Sequence, residues 1–134
     1  MRVLVADDDK LFAEYLAALC TVAGHDVVGV ETGGGLAVLH SYRRHKPDCV
    51  LLDVMMPRFN GFTIAQQLRS TSPNVRIIFM SGLVKSDYPS VSNCRPDGWL
   101  NKPITLQDLR DALNMGLKIA VNESPELAPV SAVA

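Results

Sequence analysis

The chain predicts a doubly wound α/β fold, a five-stranded parallel sheet in the order 2-1-3-4-5 with helices on both faces. Three observations predict it. Short apolar runs alternate with segments of helical period. The runs end near residues 7, 31, 53, 81 and 101, about one βα unit apart. Four of the five ends carry the residues to inspect, Asp7-Asp8, Asp53, Ser81 and Lys102, and in an open α/β sheet ligands bind just beyond such ends. Alternating strands and helices imply a parallel sheet covered on both sides, and right-handed crossovers leave few topologies. The second run ends in Glu31-Thr32-Gly33 and offers nothing similar, which suits an edge strand and selects the order 2-1-3-4-5.

The first strand is RVLVA, residues 2–6, ending in Asp7-Asp8-Asp9. A helix follows from about Lys10 to Ala23, with Phe12, Tyr15, Leu16, Leu19, Cys20 and Ala23 on one face, Asp9 as N-cap and Gly24 as its stop. DVVGVE, residues 26–31, is the second strand. After Thr32 and three glycines a helix runs from about Leu36 to His45 and breaks at Pro47-Asp48. CVLLD, residues 49–53, is the central strand. A turn with Pro57 and Asn60-Gly61 leads to a helix over 62–70, and RIIFMS, residues 76–81, is the fourth strand. GWLN, residues 98–101, is the fifth, followed by Lys102-Pro103. The last helix starts near Thr105, with Leu106, Leu109, Leu113 and Leu117 along one side. The segment that should supply the fourth helix, LVKSDYPSVSNCR at 83–95, contains Pro89, three serines and Asn93, so a short or irregular helix is expected. Beyond Val121 there are two prolines and no amphipathic period. The organisation is therefore one domain over 1–121 and a disordered tail or linker stub over 122–134.

Composition narrows the function classes. The 134 residues are enough for one real core, and a net charge of −1 argues against a nucleic-acid-binding face. The one basic cluster, Arg43-Arg44-His45-Lys46, reads as the solvated end of a helix. Cys20, Cys49 and Cys94 form no CxxC pair, so a reducing, cytoplasmic setting is expected, with Cys20 and Cys49 in the core. No signal-peptide layout and no bilayer-length apolar run is present, so no membrane is expected. His25, His40 and His45 lack metal-ligand spacing, and Gly33-Gly34-Gly35 lacks a phosphate-loop layout.

The strand tips carry the chemistry. Asp7, Asp8 and Asp53 would meet in one crevice with Ser81 and Lys102. Two like charges at ~4 Å cost about 4 kcal/mol at an effective dielectric near 20, so such a site needs a cation or a protonated acid. Lys102 offsets one charge. Oxygen-only donors favour Mg2+ for the rest. A carboxylate beside a metal, a hydroxyl and a lysine can receive a phosphoryl group, with Asp53 as nucleophile.

With these residues in place, the chain resembles the receiver domains of two-component response regulators, the CheY-like group within the flavodoxin-like (βα)5 folds. The residues that carry the resemblance are Asp7-Asp8, Asp53-x-x-x-Pro57-x-x-x-Gly61, Ser81-Gly82 and Lys102-Pro103, over residues 1 to 121. The resemblance implies that Asp53 accepts the phosphoryl group, that Asp8 binds the metal directly and Asp7 through a coordinated water, and that Met55 offers its backbone carbonyl. It implies that Ser81 moves toward the phosphoryl group, that Lys102 pairs with it, that the Lys102-Pro103 bond is cis, and that Trp99 is the switch aromatic. The implied partners are a sensor histidine kinase or histidine phosphotransfer protein as donor and a downstream protein target. A phosphorylation-dependent dimer is implied, and nucleic acid is not contacted by this domain. The implied behaviour is that of a phosphoacceptor which assists its own chemistry and is not a turnover enzyme. The irregular 84–94 segment puts the family's usual docking face, built on the fourth helix, in question. Met55 and Leu83 stand where the family flanks the path of an attacking water, so slow hydrolysis of the acyl phosphate is expected.

Three other readings compete. A receiver-like interaction module could act without phosphorylation, but the intact acid set speaks against it. A haloacid-dehalogenase-type phosphatase needs a second acid two residues after the nucleophile, where this chain has Met55. A flavodoxin-like redox protein would have to hold a flavin phosphate against three carboxylates.

Overall fold

A computed structural model describes residues 1–56, 61–82 and 96–122, with side chains in the last helix described through residue 114. In order, the elements are β1 (Arg2–Ala6), α1 (Lys10–Val22), β2 (Asp26–Glu31), α2 (Gly35–His45), β3 (Cys49–Asp53), α3 (Gly61–Thr71), β4 (Arg76–Ser81), β5 (Gly98–Asn101) and α4 (Leu106–Asn122). The strands form one parallel sheet in the order β2-β1-β3-β4-β5, as expected. The expected irregular helix at 84–94 and the tail beyond 122 lie outside the described residues.

Local chemistry starts and stops the helices. The Asp9 carboxylate accepts the Phe12 N–H at 3.2 Å and caps α1. Gly24 then takes a φ of +92°, a left-handed conformation that costs glycine little. The Thr105 hydroxyl accepts the Asp108 N–H at 3.0 Å while Asp108 accepts the Thr105 N–H at 3.1 Å, a reciprocal cap at the start of α4.

Strand alternation divides the core. Val3, Val5, Leu51, Ile78 and Met80 point to the face covered by α1 and α4. Leu4, Ala6, Val50, Leu52, Ile77 and Phe79 point to the face covered by α2 and α3. Every residue of β3 is buried, as its uninterrupted apolar run requires of a central strand. Cys20 and Cys49 are buried free thiols.

The buried centre of α1 is Ala13, Leu16 and Cys20. This corrects the expected face at Tyr15, which is 47% exposed. A phenol needs a partner for its polar tip. Tyr15 lies at the rim and donates its hydroxyl to the Ile104 carbonyl at 2.8 Å, tying α1 to the loop after β5.

Candidate functional site

Parallel strands deliver their carboxyl ends to one edge, so residues far apart in sequence converge there. The ladder carries on past the strands: the Asp7 N–H donates to the Glu31 carbonyl at 3.1 Å, and the Lys102 N–H to the Ser81 carbonyl at 2.7 Å. The Lys102-Pro103 peptide is cis, as the family pattern implied.

Four of the expected residues meet directly. Asp7 is fully buried; one carboxylate oxygen accepts the Asp9 N–H at 2.9 Å and the other accepts the Lys102 ammonium at 2.7 Å. Asp53 ends β3 and is 4% exposed. Its Oδ1 accepts the Met55 N–H at 3.1 Å, and its Oδ2 lies 3.6 Å from Lys102 Nζ. Asp8 is exposed at the mouth. Oxygens of Asp7, Asp8 and Asp53 all lie within 4.8 Å of one another.

The electrostatics are unbalanced. Burial pushes the Asp53 carboxyl up to about 7; the Met55 N–H bond opposes this, the Asp7 charge adds to it and Lys102 counters it. Burial alone would lower the Lys102 ammonium, but its bonds to Asp7 and Asp53 outweigh burial and raise it. One ammonium therefore faces three carboxylates whose oxygens already lie at the spacing of a shared ligand set. That donor set fits a hard divalent cation of the Mg2+ class, which takes oxygen ligands and tolerates retained water.

The other expected residues occupy the same edge with different surroundings. Ser81 ends β4 with its side chain fully buried. Met55 contributes its N–H to Asp53, and its side chain is 62% exposed. Its neighbour Met56, by contrast, is buried. Trp99 is half-buried on β5, edge-on to Phe79 at 5.8 Å, with its indole N–H bonded to Asn101 at 2.9 Å. Pro57 and Leu83 lie outside the described residues.

Two contributors were not read from the sequence. Phe12 lies under Lys102, whose ammonium sits 4.5 Å from the ring centroid, a cation–π contact that helps hold the lysine over the crevice. Gly61, quoted only as part of a motif, touches the site through backbone. A Cβ there would lie 2.6 Å from the Asp53 carbonyl oxygen and 2.8 Å from Val54 Cα.

Comparison with known proteins agrees with this geometry. Residues 3–114 match the family model described as the response regulator receiver domain. Response regulator MprA of Mycobacterium leprae (strain TN) is 33% identical over 110 residues, 81% of this chain and 47% of that protein. The chain spans about half the length of the curated relatives it matches. Among solved structures, the signal receiver domain of a modulated diguanylate cyclase from Desulfovibrio desulfuricans G20 superposes with a TM-score of 0.78 at 26% identity, covering 92% of this chain and 98% of that one. CheY in a CheX-CheY-BeF3-Mg+2 complex from Borrelia burgdorferi shares the fold, with a TM-score of 0.80 at 21% identity, covering 87% and 89%.

Proposed function

The chain belongs to the response regulator receiver domains of two-component systems, and from that membership we propose a phosphorylation-dependent switch in which Asp53 is the acceptor. The observation that carries the reading is the position of Lys102. Its ammonium is bonded to Asp7 at 2.7 Å and lies 3.6 Å from Asp53, so one fixed cation stands between two buried carboxylates at the end of the central strand.

In the proposed reaction an ionised Asp53 oxygen attacks the phosphorus of a phosphohistidine on a sensor kinase or phosphotransfer protein. The O–P bond forms as the P–N bond breaks, and the imidazole nitrogen keeps the electron pair. Lys102 balances charge on the transferred group, and the Ser81 hydroxyl donates to one of its oxygens. Asp8, Asp53 and the Met55 carbonyl would hold Mg2+, with Asp7 acting through a water; when bound, the ion supplies further charge neutralisation. The acyl phosphate then biases a two-state equilibrium, with Trp99 and Ser81 as the moving parts, that a downstream protein or a second copy reads. On this reading residues 1–121 are the working unit, a cytoplasmic phosphoacceptor without turnover of a separate substrate. Among the described residues no helix is long and apolar enough to cross a membrane.

Intact mass after incubation with a small phosphodonor and Mg2+ tests the reading. A single phosphoryl adduct on the wild type and none on Asp53→Asn is expected. No adduct, or an equal one on Asp53→Asn, refutes it and leaves the interaction module that acts without phosphorylation.

A further inference from the structure

A cavity of about 480 Å3 lies between α2 and β2, the strand at the end of the sheet order. Its walls hold Glu31, His40, Ser41, Arg43, Arg44 and His45, so two guanidinium groups and two imidazoles stand against one acid. Among the described residues no member of the acidic crevice lines it.

Helix chemistry explains part of this wall. Arg43, Arg44 and His45 lie in the last turn of α2, where positive charge stabilises the helix end. It does not explain Ser41, which is 5% exposed and belongs to the buried face of α2 together with Val38. The Ser41 hydroxyl is the one buried side-chain polar atom without a hydrogen-bond partner among the described residues. A buried hydroxyl left unmet costs stability, and an alanine would fill such a position without that cost. Gly29 on β2 leaves the hydroxyl its room: a Cβ there would lie 3.0 Å from Ser41 Oγ and 3.5 Å from His45 Cδ2. Ser41 is a wall residue of the cavity, so the unmet hydroxyl and the basic side chains share one space. Among the described residues, none of His40, Arg43, Arg44 and His45 has a carboxylate within ion-pair distance, that of Glu31 included.

We propose that this cavity binds a small phosphate monoester. Two guanidinium forks, two imidazole N–H groups and one hydroxyl supply more donors than a carboxylate can accept, and they suit the terminal oxygens of a phosphoryl dianion. The volume exceeds that of a phosphoryl group alone and lies within the range of small-ligand sites, which leaves room for an esterified organic part. Glu31, the one acidic wall residue, accepts hydrogen bonds from hydroxyls on that part and repels a second phosphate. The site is separate from the phosphoryl transfer proposed at Asp53: it holds the ester and breaks no bond.

The test is amide NMR on the full chain in EDTA, titrated with inorganic phosphate and with glycerol phosphate at pH ~7, where a phosphate monoester carries close to two charges. Saturating shifts with glycerol phosphate are expected at Gly29, Glu31, His40, Ser41 and Arg44. Asp53→Asn should titrate as the wild type does, so this site and the phosphoacceptor reading stand or fall separately. Arg44→Gln and Ser41→Ala should each weaken binding about tenfold. Ser41→Ala should also leave the thermal midpoint without phosphate unchanged or higher, because the hydroxyl it removes has no partner. A lowered midpoint would mark a hydroxyl that serves the fold and would overturn the proposal. So would shifts that sodium chloride reproduces at matched ionic strength, shifts centred on Asp7, Asp8 and Lys102, a response to inorganic phosphate alone, or no response at all.

Discussion

Gly61 packs so closely on Asp53 that a single added carbon would sit 2.6 Å from the Asp53 carbonyl oxygen. The first residue of α3 is thus pressed against the end of β3, and its N–H donates to the Val54 carbonyl at 2.9 Å. The obstacle is backbone, which cannot rotate away as a side-chain end can.

Gly61→Ala should therefore cost about 1–3 kcal/mol, the usual penalty for overpacking. Urea unfolding followed by Trp99 fluorescence measures it. Because the displaced atoms belong to Asp53, phosphoryl transfer should fall as well; an alanine variant with wild-type stability would show that the strand end yields freely.

Asp53→Asn should stabilise the protein in EDTA near pH ~8. Burial and the neighbouring Asp7 charge oppose ionisation of Asp53, and the amide removes that conflict at nearly constant volume. The gain should shrink when Mg2+ is added, since the cation relieves the same repulsion in the wild type alone. Equal thermal midpoints for the two proteins in EDTA would contradict this.

Alkali should weaken the fold through its buried thiols. Burial pushes Cys20 from 9.0 up to about 12, and does the same for Cys49. The unfolded chain ionises near the lower value, so the stability held by the neutral thiols is complete below it and is lost as pH rises toward the higher one. Each thiol should contribute a loss of about 1.4 kcal/mol per pH unit in that window. Unfolding free energies at pH ~8 and ~10.5 should diverge less in Cys20→Ala/Cys49→Ala than in the wild type.

Asp97 should be needed where β5 begins. Its carboxylate accepts the Ile77 N–H at 2.8 Å and the Arg69 guanidinium at 2.6 Å. The acid is 42% exposed, so the ion pair itself counts for little, while the Ile77 N–H is buried. Asp97→Ala should cost about 1–2 kcal/mol by leaving that donor unmet, and Asp97→Asn should recover most of it. Denaturant midpoints for the pair decide the matter.

Met55→Asn should shorten the lifetime of the acyl phosphate on Asp53. The Met55 side chain is exposed beside Asp53, and a polar residue there can hold an attacking water. Decay of the phosphoryl adduct by intact mass is the readout, and an unchanged lifetime would remove Met55 from any control of hydrolysis.

Much of this was legible in the sequence because the signals were local or periodic. The apolar run of β3, the Asp9 cap and the Gly24 stop each rest on a few adjacent residues. The face of α1 was legible only in part. Period alone cannot separate a buried tyrosine from one at a rim whose hydroxyl reaches Ile104 across 89 residues of chain. Phe12 was assigned to the core by the same period, although its ring also faces Lys102. Met55 and Met56 are chemically alike and adjacent, yet opposite in burial, as successive side chains of an extended segment can be.

The sequence by itself determined the alternation of strands and helices, the strand order through the one run without a functional end, and which side chains stand at the carboxyl edge. Parallel topology makes those outcomes follow from pattern alone. Only the tertiary structure decided that Lys102 bonds Asp7 at 2.7 Å and stands 3.6 Å from Asp53, and that Gly61 abuts the Asp53 backbone. It also decided that Arg43, Lys46 and Arg76, which have no carboxylate partner among the described residues, line cavities at the far edge. Distances, close approaches and burial arise from elements brought together across the whole chain, and no local pattern encodes them.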